Sequence, residues 1–199
     1  MGEAERKGRK SRTGCVVMAA GSGVRFGGGK LLARFRGESL YRRTLELLPG
    51  QALDAVAVVS GEPEILAAAE ALGFLPVRND RPEEGVSRTI RLGLEALGDC
   101  GAALFMVADQ PLLTRETVAR ILSLGAEHPD RIVAPERPDG QLGNPCLFPA
   151  VFFPELRALE GDRGGRRVIS AHPEALYAVP VPAEELTDTD RPEDLERLE

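Results

Sequence analysis

The sequence predicts an α/β protein built on a mostly parallel sheet with helices on both faces. Two observations carry this. Short apolar runs, which read as buried strands, alternate along the chain with longer segments whose apolar residues recur at helical spacing. No internal repeat and no long linker interrupts the alternation, and 199 residues suffice for one domain with a substantial core.

The predicted strands cover residues 15–19, 55–59, 74–77, 102–107, 131–134, 145–148 and 176–179. The predicted helices cover 39–48, 63–72, 87–97, 114–124, 150–158, 165–171 and 192–198. Ser87 and Thr114 stand where N-caps are wanted, since a hydroxyl there can accept a free amide of the first turn. In an open parallel sheet the ligand lies beyond the carboxyl ends of the strands. The polar and glycine-rich segments of this chain mostly fall just there.

Composition narrows the function. A net charge of −6 argues against general nucleic-acid binding. Residues 1–13 form a basic tail with hardly any apolar content, expected to be disordered and lacking the apolar stretch of a secretory signal. No apolar run approaches membrane-spanning length. Cys15, Cys100 and Cys146 are odd in number and set in apolar surroundings, as buried reduced thiols of a cytoplasmic protein would be. No Cys or His pair has metal-ligand spacing, and His128 and His172, each followed by proline, read as surface residues at element ends.

The most informative segment follows the first strand. Ala19, Ala20, Gly21, Ser22 and Gly23 lead into Arg25, then Gly27-Gly28-Gly29-Lys30. Glycines let a ligand approach backbone amides closely, and successive amides form a concave anion site. With Arg25 and Lys30 alongside, the guest is a polyphosphate. A Walker A loop is excluded, because Leu31 follows Gly29-Lys30 where Ser or Thr should hold magnesium. A dinucleotide fingerprint is excluded too: its third glycine position is Phe26, and the strand ending near Ser60-Gly61 lacks the acidic residue that grips a ribose.

Asp109, following the most apolar strand, is placed to hold magnesium opposite the phosphate loop, or to serve as a turn former before the next helix. Asp190 is either the N-cap of the terminal helix or a second metal ligand, with Asp188 in reserve. Ser87 either caps its helix or bonds a base edge. Arg163, Arg166 and Arg167 in a glycine context suit an anionic acceptor or a solvated loop.

Residues 18–32 resemble the signature loop of the MobA-like nucleotidyltransferases, most of all the branch typified by molybdenum cofactor cytidylyltransferase. Val107-Ala-Asp-Gln-Pro111, Gly143-Asn-Pro-Cys-Leu-Phe148, Gly161-Asp-Arg-Gly-Gly-Arg166 and Asp188-Thr-Asp-Arg-Pro-Glu-Asp-Leu195 resemble that family's later motifs, in order. The resemblance implies a three-layer αβα, Rossmann-like fold of the nucleotide-diphospho-sugar-transferase type over residues 14–199. It implies Mg2+ on Asp109 and Asp190. Lys30 and Arg25 would then take the triphosphate, and the loop start Ala19-Ala20-Gly21 implies CTP. Family members carry a serine run where this chain has Arg88 and Thr89. Gly143, Asn144, Pro145, Asp162, Gly164 and Arg166 are implied to face the acceptor, a molybdopterin phosphate. The product would pass to a molybdenum hydroxylase or its chaperone.

The chemistry suits the residues. A phosphate monoester loses its second proton at about pH 6 and is already nucleophilic at neutrality, so no general base is required. Positioning and charge neutralisation remain. Rival readings are a GTP-using member of the same family, a cytidylyltransferase with another phosphate acceptor, and a non-catalytic pterin carrier.

Overall fold

A computed structural model of the chain describes residues 12–21 and 26–198. Its strands are β1 (Thr13–Ala19), β2 (Arg34–Phe35), β3 (Glu38–Ser39), β4 (Ala55–Ser60), β5 (Leu75–Arg78), β6 (Ala102–Val107), β7 (Ile132–Glu136), β8 (Cys146–Pro149) and β9 (Leu176–Pro180). The helices are α1 (Leu40–Glu46), α2 (Pro63–Ala71), α3 (Val86–Leu97), α4 (Arg115–Glu127), α5 (Phe153–Arg157), α6 (Arg166–Ala171) and α7 (Pro192–Leu198).

Seven strands form one sheet in the order β5-β4-β1-β6-β8-β7-β9. All neighbours are parallel except β8, which runs antiparallel to both β6 and β7. The strand pattern decides the layering. Alternate residues of β1 divide between two cores: Cys15 and Val17 pack with Tyr41, Ile65 and Ile121 of α1, α2 and α4. Val16 packs on the other face with Ile90, Leu156 and Val168 of α3, α5 and α6. Strands covered on both faces need apolar residues on both, hence the near-continuous apolar runs. All three cysteines are free and buried.

Several predicted boundaries shift for physical reasons. Residues 1–11 of the predicted disordered tail lie outside the described residues, whereas Thr13 already belongs to β1 and donates its amide to Asp54 Oδ2 at 2.7 Å. Phe74 is not in a strand; its amide closes α2 by donating to Ala69 O at 3.0 Å. The helix predicted over 150–158 is a 3-10 turn (Ala150–Phe152) followed by α5, because Pro154 in the first turn cannot supply the amide that a continuous helix requires. The hairpin of β2 and β3 is too short for periodicity to announce; Arg36 and Gly37, both with positive φ, turn it. Thr114 caps α4 as predicted, its hydroxyl accepting from the Thr117 amide. Ser87 does not cap: α3 begins after Gly85, and Ser87 lies inside it.

Candidate active site

The parallel strands deliver their carboxyl ends to one edge of the sheet, and the site is assembled there. β1 ends at the buried Ala19, and Ala20 and Gly21 follow it. Ser22, Gly23 and Arg25, expected on the triphosphate, lie outside the described residues. Gly27, Gly28 and Gly29 all have positive φ, at 84°, 95° and 63°. Side-chain-bearing residues are strained there, which is why three glycines run together. The chain then enters a 3-10 turn at Lys30.

Lys30 is the hub. Its ammonium donates to Asp109 Oδ2 at 2.6 Å and to Asp190 Oδ1 at 3.1 Å. Burial by itself would lower its pKa; Asp109, and then Asp190, outweigh that and hold the ammonium above its usual range. The two carboxylates arrive from different parts of the chain. Asp109 stands just beyond β6. Asp190 follows Thr189, whose amide and hydroxyl both donate to the main-chain oxygen of Asp109 at 3.1 Å. The amides of Asp190 and Arg191 bond to Asp194 Oδ2, at 3.0 and 2.8 Å, at the start of α7.

The donor set fits a hard divalent cation. Asp109 Oδ1 is buried and has no hydrogen-bond partner, leaving an anionic oxygen to coordinate. Among the described residues no cluster of three or more His, Cys, Asp or Glu side chains could hold a metal. The protein would therefore supply two carboxylates, with phosphates and water completing the shell, as magnesium commonly takes. Asp188, the reserve ligand, instead accepts from Gln110 Nε2 at 3.0 Å. Burial, and then repulsion from Asp109, raise its pKa.

Two cavities meet at this edge. One, of about 400 Å³, is lined by Ala20, Gly21, Lys30, Thr89, Asp109 and Asp190 among others. The other, of about 540 Å³, is lined by Arg137, Gly143, Asn144, Phe148, Gly164, Arg166 and Asp188 among others. Met18, Val86 and Val107 belong to both. Of the residues expected to face the acceptor, Gly143, Asn144, Gly164 and Arg166 do line the second cavity. Asp162 lines the first instead, and Pro145 is buried at the start of the turn into β8, after a cis peptide with Asn144. Ala19 lies behind the loop, lining a smaller recess.

Ser87 is a further correction. It is fully buried, its amide donates to Gly161 O at 3.1 Å, and its hydroxyl has no partner. Thr89 lines the first cavity in its place, accepting from Asn79 Nδ2 at 3.2 Å. The helical period was the available signal: Ile90, Gly93 and Leu94 put position 89 on the inward face. Arg137 was missed altogether, because a single arginine after a strand has no distinguishing pattern.

Phosphoryl-group chemistry needs positive charge for a triphosphate, carboxylates for a divalent ion and room beside them for a second substrate. Among the described residues this edge of the sheet brings together the Lys30 ammonium, Asp109, Asp190 and two cavities, and the fold and site define a nucleotidyltransferase. The chain belongs to the MobA-like NTP transferase family, whose domain matches residues 15–176. It is 32% identical to phosphoenolpyruvate guanylyltransferase of Rubrobacter xylanophilus, over 98% of this chain and 89% of the relative. It is 27% identical to the purine catabolism protein PucB of Bacillus subtilis, over 92% of this chain and 94% of that protein. A crystal structure from Mycobacterium tuberculosis H37Rv shares the fold, with a TM-score of 0.79 at 24% identity, over 96% of this chain and 98% of that one. No helix among the described residues is long and apolar enough to cross a membrane.

Proposed function

We propose that the protein transfers CMP from CTP to the phosphate of a molybdenum-loaded pterin in the cytoplasm, releasing pyrophosphate. The product is the cytosine dinucleotide form of the cofactor, supplied to a molybdenum hydroxylase or its chaperone. The observation that carries this is the pair of joined cavities. The first has the phosphate-loop lysine and three carboxylates, Asp109, Asp162 and Asp190; the second is roomy and partly aromatic, with Phe105, Phe148, Ile90 and Leu142 on its walls. That volume suits a fused heterocycle better than a three-carbon phosphate.

In this reading Lys30, the amides around Ala20 and Gly21, and Arg25 bind the triphosphate. Asp109 and Asp190 hold Mg2+. Bound there, the ion would supply positive charge to the phosphate oxygens. The acceptor phosphate, ionised already, sits in the second cavity and attacks in line, so the protein's work is orientation and neutralisation. Thr89 faces the base.

A second reading has one specific support: the R. xylanophilus relative, matched along nearly the whole chain, is a guanylyltransferase acting on phosphoenolpyruvate. The deciding experiment measures pyrophosphate release with Mg2+, crossing CTP, GTP, ATP and UTP with the molybdenum-loaded pterin and phosphoenolpyruvate. CTP with the pterin is the expected productive pair. GTP with phosphoenolpyruvate would establish the second reading. Binding of the pterin without pyrophosphate release from any pair would make the protein a carrier.

A further inference from the structure

Two arginines stand on the wall of the second cavity without the charge partners that surface arginines usually find. Arg137 follows β7, and Arg166 opens α6. Among the described residues neither has a carboxylate within ion-pairing distance. Both are tied to one short turn. Arg137 Nη1 donates to Gln141 Oε1 at 3.4 Å, and the Arg137 amide donates to Gln141 O at 2.9 Å. Arg166 Nη2 donates to Leu142 O, one residue further on, at 3.1 Å. The turn thus holds two guanidinium groups at one cavity.

Arg137 Nε is buried and has no acceptor. A buried donor on a cavity wall is costly unless a ligand meets it. A guanidinium carries five donors in a planar fork that matches an oxyanion, and each of these groups spends few of its donors within the protein.

We propose that Arg137 and Arg166 together form a two-guanidinium site for an oxyanion group of the acceptor, a phosphate or a carboxylate. This deepens the functional reading above and rests on it for assigning the second cavity to the acceptor. Arg137 thereby sets acceptor affinity, and the acceptor is an anion whatever its remaining structure.

The test follows the arginine Nε–H resonances of the 15N-labelled full chain during titration with inorganic phosphate. Arg137→Lys and Arg166→Lys assign the two signals. Both should shift with one shared dissociation constant. Arg137→Lys should weaken that binding about tenfold or more, since a point charge replaces the fork. A silent Arg137 resonance, or unaltered phosphate affinity in Arg137→Lys, overturns the proposal. In turnover, Arg137→Lys should raise the acceptor KM about tenfold while the nucleotide KM stays within about twofold. Absence of turnover by the wild type would instead refute the functional reading, and the resonances would decide this proposal by themselves.

Discussion

Gly85 packs against the peptide of Gly161 so closely that a β-carbon on Gly85 would stand 2.3 Å from the Gly161 carbonyl carbon. Gly85 also has φ 86°, and the next turn of α3 begins beside it, with the Ser87 amide bonded to Gly161 O. The contact joins the walls of the two cavities: Val86 and Thr89 line the first, and Gly164 and Arg166, in the same loop as Gly161, line the second.

Gly85→Ala should therefore lower stability by about 1–3 kcal/mol, from overpacking and a strained φ together. It should raise the KM of both substrates. Gly164→Ala is the control, since a β-carbon there meets only Val86 Cγ1 at 3.8 Å, ordinary contact. Denaturant unfolding and steady-state kinetics of the pair would check this; equal behaviour of the two variants would count against it.

Asp109→Asn should cut turnover about a thousandfold with the fold intact, the order seen when an electrostatic group at a reacting centre is lost. The bonds from Thr189 go to the main chain of Asp109 and survive the change. Pyrophosphate release measures it, and a near-normal rate would remove the metal assignment.

Ser87→Ala should leave the nucleotide KM unchanged and should raise stability by about 1 kcal/mol, since an unbonded buried hydroxyl is removed. Thr89→Val should raise that KM about tenfold, and Thr89→Ser should restore it, because serine keeps the hydroxyl that Asn79 donates to. If only the Ser87 change affects nucleotide affinity, the base lies elsewhere.

His172, at the end of α6, lies 2.9 Å from Glu155 Oε1 of α5. The bond that His172 Nε2 donates to Glu155, with the charges of Glu155 and Glu174, raises the His172 pKa above 6.5. A raised folded-state value means the pair stabilises fully below about pH 6.5 and loses its effect as pH rises through the folded value. Glu155→Gln should thus lower Tm slightly at about pH 6 and not at about pH 8.5. An equal loss at both would assign the effect to packing.

Much of the fold was legible because buried parallel strands announce themselves as apolar runs, and the family motifs marked the loops at their carboxyl ends. Lys30, Asp109 and Asp190 could be named from sequence because a glycine loop and two acidic segments are local patterns. Their meeting at one ammonium was not legible, since 79 and 160 residues separate Lys30 from its two partners. Ser87 misled for a local reason: a serine at a predicted helix start reads as a cap, but Gly85 starts α3 before it. Asp162 was assigned with the rest of its loop, whereas the Gly85–Gly161 contact turns that residue toward the first cavity. Arg137 reaches the second cavity through the turn back to Leu142, a tertiary fact with no local mark.

The reversed strand β8 has a consequence for how such a chain can diversify. It separates β1, β4, β5 and β6, which with their loops supply most of the first cavity, from β7 and β9, whose following loops reach the same edge. The consecutive turns at Arg137–Leu142 and Gly143–Asn144, both between β7 and β8, can change length or composition while β1 and β6 keep their register. The walls of the second cavity are thereby open to revision by loop exchange, with the walls of the first inherited intact.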